Sequence, residues 1–159
     1  MSSAPAKTEE KEVVRAIERR WTKAVATPGW TAWPNILLDR QRALGLEPLD
    51  VNILLHLARY WWDADELPYP SVTTLADAIG VNRSTVQRRI RRLEQDGLIL
   101  REIRKGRKGG NLSNRYHFAG LIKAATPYAQ EAIAERNRRQ KEDAERLRRK
   151  GKPRLAAVE

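Results

Sequence analysis

The sequence predicts a mainly α-helical fold with one small β-hairpin, flanked by an N-terminal and a C-terminal helix. Three observations predict it. Apolar residues recur at helical spacing through 48–62 and 71–96, with capping residues and glycines at the ends of the stretches. Two short β-prone runs, 98–103 and 115–118, enclose a turn rich in glycine and positive charge. The 159 residues are enough for one core with appendages, and none is cysteine, which excludes disulfides and thiolate metal sites.

Taken in order, residues 1–7 are small and polar and are expected to be disordered. A helix is expected over 8–26, with Thr8 as N-cap and Glu9, Glu10 and Glu12 near the positive end of its dipole. Val13 or Val14, Ile17, Trp21, Ala24 and Val25 give it an apolar face, which must pack on the domain or on a second copy of the chain. Thr27-Pro28-Gly29 ends it. Residues 30–38 read as a short extended segment or strand, because Pro34 disfavours helical geometry in its neighbour. A helical turn over 39–46 ends at Gly45. The next helix opens at Pro48 and presents Val51, Leu54, Leu55, Ala58 and Trp62 to the core. Residues 63–70 form a loop with two prolines.

Ser71 is a good N-cap for a helix through Ile79 that buries Leu75, Ala76 and Ile79. Gly80 ends it as a residue that readily takes positive φ, and Asn82 caps a longer helix over 83–96. Val86, Ile90 and Leu93 form the inner face of that helix. Its outer face shows Arg83, Ser84, Thr85, Gln87, Arg88 and Arg91, all hydrogen-bonding and none acidic. Arg89 and Arg92 either pair with acids or lie along the surface. The hairpin follows, with Lys105, Arg107 and Lys108 at its glycine-rich tip. Thr126-Pro127 opens the last helix, where Tyr128, Ala129, Ala132 and Ile133 can pack. Residues 134–159 form a basic tail, read as a solvated helix or a disordered segment.

The net charge of +11 is unevenly placed. Residues 1–82 hold 9 Lys/Arg against 11 Asp/Glu, residues 83–123 hold 12 against 3, and residues 134–154 hold 10 against 4. Concentrated positive charge points to a polyanionic partner. Arg is suited to bidentate contact with guanine, Gln to adenine, and Ser or Thr to bases or phosphates. The acids Glu94 and Asp96 come only at the far end of helix 83–96, as entry into a major groove by its N-terminal half requires.

Residues 48–118 resemble winged helix-turn-helix domains of bacterial transcription regulators and of plasmid- or phage-type replication and regulatory proteins. The resemblance rests on the run PSVTTLADAIGVNRSTVQRRIRRLEQDGLI followed by a basic hairpin. The family's Leu-Ala in the first helix (Leu75-Ala76), Gly-Val at the turn (Gly80-Val81), Thr-Val in the second helix (Thr85-Val86) and exit Leu93-Glu94-Gln95-Asp96-Gly97-Leu98 are all present. Asn82 stands where Ser is commoner, and both cap well. On this reading 8–133 is a winged-helix domain with an N-terminal helical extension, its helix-turn-helix at 71–97 and its wing at 98–118.

The resemblance implies a sequence-specific double-stranded DNA-binding protein, first as a transcription regulator. The alternatives are a replication or partition protein that binds origin repeats, and an adaptor that uses the fold for protein or RNA contact. The expected DNA-contacting residues are Arg83, Ser84, Thr85, Gln87, Arg88 and Arg91 on the helix and Lys105, Arg107 and Lys108 on the wing. A homodimer is an expected partner state, motivated by helix 8–26 and by the two-fold sites such domains read. No catalytic or metal-binding residue and no cofactor is expected. His56 and His117 lack ligand-spaced neighbours, and nucleophile, Walker and dinucleotide motifs are absent. The glycine-rich tip lacks the Gly-Lys-Ser/Thr end of a phosphate loop. Without an apolar run of membrane-spanning length or a secretory leader, the expected location is the cytoplasm, at the nucleoid. The five Trp residues, at 21, 30, 33, 61 and 62, read as core or interface packing, with an effector pocket as the sharper alternative.

Overall fold

A computed structural model describes residues 4–63, 65–106, 110 and 112–148, with side chains described from residue 11 onward. Arg107 and Lys108, two of the expected wing contacts, and the tail beyond 148 lie outside the described residues. The element order is α1 (Ala4–Trp21), α2 (Lys23–Ala26), α3 (Asn35–Asp39), α4 (Pro48–Ala58), α5 (Val72–Ile79), α6 (Arg83–Gln95), β1 (Leu100–Glu102), β2 (Arg115–His117) and α7 (Ala119–Arg148). The fold is mainly helical, with a two-stranded antiparallel hairpin and a helical extension at each end.

The core lies where α4, α5 and α6 meet. Ile53, Leu54 and Leu57 of α4, Leu75 of α5, and Val86, Ile90 and Leu93 of α6 are fully buried together. The hairpin and α7 close this core with Tyr116, Phe118 and Leu121. The strands pair Leu100 with His117, Arg101 with Tyr116 and Glu102 with Arg115. The Tyr116 amide also donates to the Pro68 carbonyl at 3.0 Å, which ties the hairpin to the loop ahead of α5.

Several expectations are corrected. The first helix, expected to run unbroken over 8–26, begins at Ala4 and breaks at Thr22, which takes a φ of 67°. Residues 35–38, expected within a short extended segment or strand, are helical with Asp39, and Pro34 acts as the residue before the first helical turn. Trp61, not Trp62, faces the core, where it stacks on Phe118 with ring centroids 5.0 Å apart, while Trp62 is 74% exposed.

The last helix begins at Ala119 and passes through Pro127, rather than starting there. A proline inside a helix removes one backbone hydrogen bond at a cost of about 3 kcal/mol. The helix persists because its first turns are anchored before the proline is reached. Leu121 and Ala125 are buried, and the Leu121 amide donates to the Leu98 carbonyl at 2.7 Å. Gly120 permits this approach, since a Cβ there would stand 1.9 Å from the Gly97 carbonyl oxygen. Beyond Pro127 the helix is maintained by good helix formers and by close-spaced ion pairs, among them Glu135 with Arg138 and Arg139.

Candidate nucleic-acid interface

The interface is built on the short turn between α5 and α6. Ser71 caps α5 by accepting from the Thr74 amide at 3.0 Å. Gly80 then takes the left-handed conformation, φ 79° and ψ 34°, and its amide and that of Val81 both donate to the Ala76 carbonyl. This turn redirects the chain so that Val86, Ile90 and Leu93 pack on α5 and α4. Asn82 has the extended backbone of an N-cap, φ −64° and ψ 141°, but its side chain makes no capping hydrogen bond.

The amphipathic pattern decides what α6 shows to solvent. Arg83, Ser84, Arg88 and Arg91 are exposed, and Thr85 and Gln87 are half-buried. Lys105 is exposed on the hairpin. The arginines of α6 are not equivalent.

Arg89 and Arg92 are withdrawn from the outer surface by one carboxylate. Both guanidinium groups hydrogen-bond Glu47, the residue that caps α4. Arg89 Nη1 also lies 3.7 Å from Oδ1 of buried Asp50, whose Oδ2 accepts from the Glu47 amide at 2.9 Å. The two guanidinium groups hold the Glu47 carboxyl down at about 2, and their own proton affinities are raised in return. This cluster fastens α6 to α4. Arg101 is likewise engaged, 3.1 Å from Glu94. Arg83, Arg88 and Arg91 have no such acid partner among the described residues.

Sequence reasoning missed a second part of this surface. A cleft of about 390 Å³ separates the start of α5 from the hairpin and is lined by Thr73, Arg83, Gln87, Arg101, Arg104 and Asn114 among others. The signal lay in the sequence run ILREIRKGRK, where Arg101 and Arg104 precede the more conspicuous tip. Between α3, α4 and α7, Trp33 and Trp61 line an apolar cleft of about 290 Å³ together with Phe118, Leu121 and Ile122.

Among the described residues no group of three or more His, Asp or Glu side chains is placed to hold a metal, and no helix is long and apolar enough to cross a membrane. His56 sits in α4, where partial burial and then the nearby Arg59 charge lower its proton affinity. His117 lies 3.5 Å from Glu102 across the hairpin.

Residues 44–99 match the family described as Helix-turn-helix domain. That span begins at the turn before α4 and ends where the hairpin starts, so it covers the three core helices. Together with the hairpin, these helices have a winged helix-turn-helix fold. Its wing is the β1–β2 hairpin, and α6 is its second, outward-facing helix.

Solved structures with a similar fold include the N-terminal domain of the DnaD protein from Geobacillus kaustophilus HTA426. It is 20% identical, with a TM-score of 0.50, over 87% of this chain and 99% of that one. A possible transcriptional regulator from Methanosarcina mazei Go1 is 18% identical, with a TM-score of 0.42, over 68% of this chain and 85% of that one. The YusO protein from Bacillus subtilis is 14% identical, with a TM-score of 0.39, over 95% of this chain and 100% of that one. No curated protein matches the chain.

Proposed function

We propose that this protein binds double-stranded DNA sequence-specifically and regulates transcription, acting as a binding protein rather than an enzyme. The N-terminal half of α6 enters the major groove, with Arg83, Ser84, Thr85, Gln87 and Arg88 toward the base edges and Arg91 toward the backbone. Lys105, Arg107 and Lys108 of the wing meet the backbone or the minor groove. The observation that carries this reading is the division of labour on α6. Arg89 and Arg92 are held by Glu47, while Arg83, Arg88 and Arg91 stand without an acid partner among the described residues. Leaving cations uncompensated on one face suits a polyanion.

The test is a binding titration of labelled duplexes selected for affinity, with Arg88→Ala in parallel. A loss of about 1–3 kcal/mol on the preferred site, with relaxed preference at one base pair, is expected. Equal loss on every sequence contradicts a base-reading role for Arg88. Selected sites that fall singly at promoters favour regulation of transcription, and clustered repeats favour a replication or partition role.

The functional unit in this reading is residues 8–133, with 134–159 as an accessory basic segment. A second copy of the chain is part of it. The α1–α2 extension leaves Val13, Val14, Trp21 and Val25 between 37% and 65% exposed, an apolar face without cover among the described residues. Sedimentation is expected to give a dimer on DNA. A monomer both with and without DNA contradicts the pairing.

A further inference from the structure

The cleft between α5, α6 and the wing has a composition that the major-groove reading leaves unexplained. Among the described residues it is lined by three arginines, Arg83, Arg101 and Arg104, and by no carboxylate. Arg101 is partly neutralised by Glu94, yet its Nε is buried with no acceptor. Arg83 and Arg104 have no acid partner among the described residues. Arg104 is fixed at the root of the wing loop. Its carbonyl accepts from the Leu112 amide at 3.1 Å, and its guanidinium lies over the Tyr69 ring, 5.2 Å from the centroid. Thr73 and Asn114 add neutral hydrogen-bonding groups from opposite walls.

Like charges gathered around one cleft repel, and a buried donor without an acceptor forfeits the hydration it had in water. One anion offering several acceptor oxygens relieves the repulsion. Guanidinium groups match a phosphate by paired, charge-assisted hydrogen bonds. The first turn of α5 adds the Val72 and Thr73 amides, which precede the Thr74 amide taken by Ser71, and the positive end of the helix dipole. The lining is mostly polar, and the Tyr116 amide, bonded to the Pro68 carbonyl, ties the wing side of the cleft to the loop ahead of α5.

We infer that this cleft is a seat for one phosphodiester group of the bound duplex, held by Arg83, Arg104, Thr73 and Asn114. The inference rests on the DNA-binding reading and deepens it. The seat joins three elements on one phosphate, so it sets the register in which α6 lies in the groove. It also assigns Arg104 to positioning, and it takes Arg83, at the start of α6, from the base edges to the backbone while Arg88 keeps its base-reading role.

The experiment uses the full chain and fluorescence anisotropy of a labelled preferred duplex and a scrambled duplex, at several salt concentrations. Arg104→Ala is expected to weaken binding to both duplexes equally, by about tenfold. It also lowers the slope of log affinity against log salt by about one, as removal of a single phosphate interaction requires. Arg104→Lys keeps the charge and is expected to keep the slope while losing affinity, and circular dichroism verifies that both variants fold. Wild-type slope and affinity in Arg104→Ala overturn the seat while leaving the DNA reading in place. Loss confined to the preferred duplex also overturns it, because the contact would then be to a base. Failure of the unaltered chain to bind any duplex removes the underlying reading and the seat with it. Calorimetry with inorganic phosphate distinguishes the source of the anion. Stoichiometric binding at submillimolar phosphate, abolished in Arg104→Ala, would mark a free-anion site and overturn the backbone assignment.

Discussion

Glu47 links fold and function more tightly than its sequence context suggests. It stands at the N-cap of α4, takes part in a capping box with Asp50, and receives Arg89 and Arg92 from α6. The sequence leaves open whether these two arginines pair with acids or lie on the surface, because 42 residues separate Glu47 from Arg89 and no local rule links them. The pairing has a defined pH signature. The folded state holds the Glu47 carboxyl near 2, below its ordinary 4.5. The unfolded chain therefore takes up the proton first as pH falls. The stabilisation is fully present above about pH 4.5 and is lost as pH falls toward 2. In chemical denaturation, Glu47→Gln is expected to be less stable than the unaltered chain at pH 7, with the gap closing between pH 4.5 and 2. A gap independent of pH contradicts the ion-pair origin. The same substitution releases two guanidinium groups, so non-specific DNA affinity is expected to rise.

Gly120 is a second residue whose role emerges only in three dimensions. Its α-carbon abuts the Gly97 carbonyl, and an added methyl group has backbone rather than a flexible side chain to displace. Gly120→Ala is expected to destabilise the protein by roughly 2 kcal/mol or more, within the range of overpacking in a core. Thermal melting checks this, and an unchanged midpoint contradicts the close packing of α7 on the exit from α6.

At the scale of elements, the stretch from α4 to β1 is legible because several local signals agree there. Pro48, Ser71, Gly80 and Gly97 mark boundaries, and the apolar spacing between them suits helices. Where one signal stands alone, the reading fails. Pro34 suggests an extended segment, although it equally suits the position before a first helical turn. Pro127 suggests a helix start, but anchoring by Leu121 and Ala125 outweighs its helix-breaking tendency. The break at Thr22 has neither glycine nor proline to announce it. On this account Pro127→Ala leaves the fold unchanged and raises the melting temperature, because it restores one backbone donor to α7. A lower midpoint contradicts the claim that the helix tolerates a defect there. The outer face of α6 is legible from spacing alone. The hairpin's share is only half legible, since the glycine-rich tip is conspicuous while Arg104 and Asn114 gain meaning only when the strands bring them to α5 and Arg83.

For the whole molecule, the distribution of charge matters more than its total. The first 82 residues are slightly acidic, and the basic charge gathers in α6, in the wing and in residues 134–154, which begin in the far part of α7. That last helix extends about 45 Å at 1.5 Å per residue, and its far half is exposed and laced with ion pairs. Its positive excess is expected to add sequence-independent attraction to a duplex that α6 reads. Replacing Lys105, Arg107 and Lys108 together is expected to weaken binding to all duplexes alike and to flatten the salt dependence. An unchanged salt dependence removes the wing from the interface.

The central claim, that the uncompensated face of α6 binds DNA, is tested most directly by titrating a random-sequence duplex with the full chain at several salt concentrations, alongside Arg88→Ala. The account predicts binding at low salt with a steep negative dependence of log affinity on log salt, weakened in Arg88→Ala. No binding at low salt would contradict it.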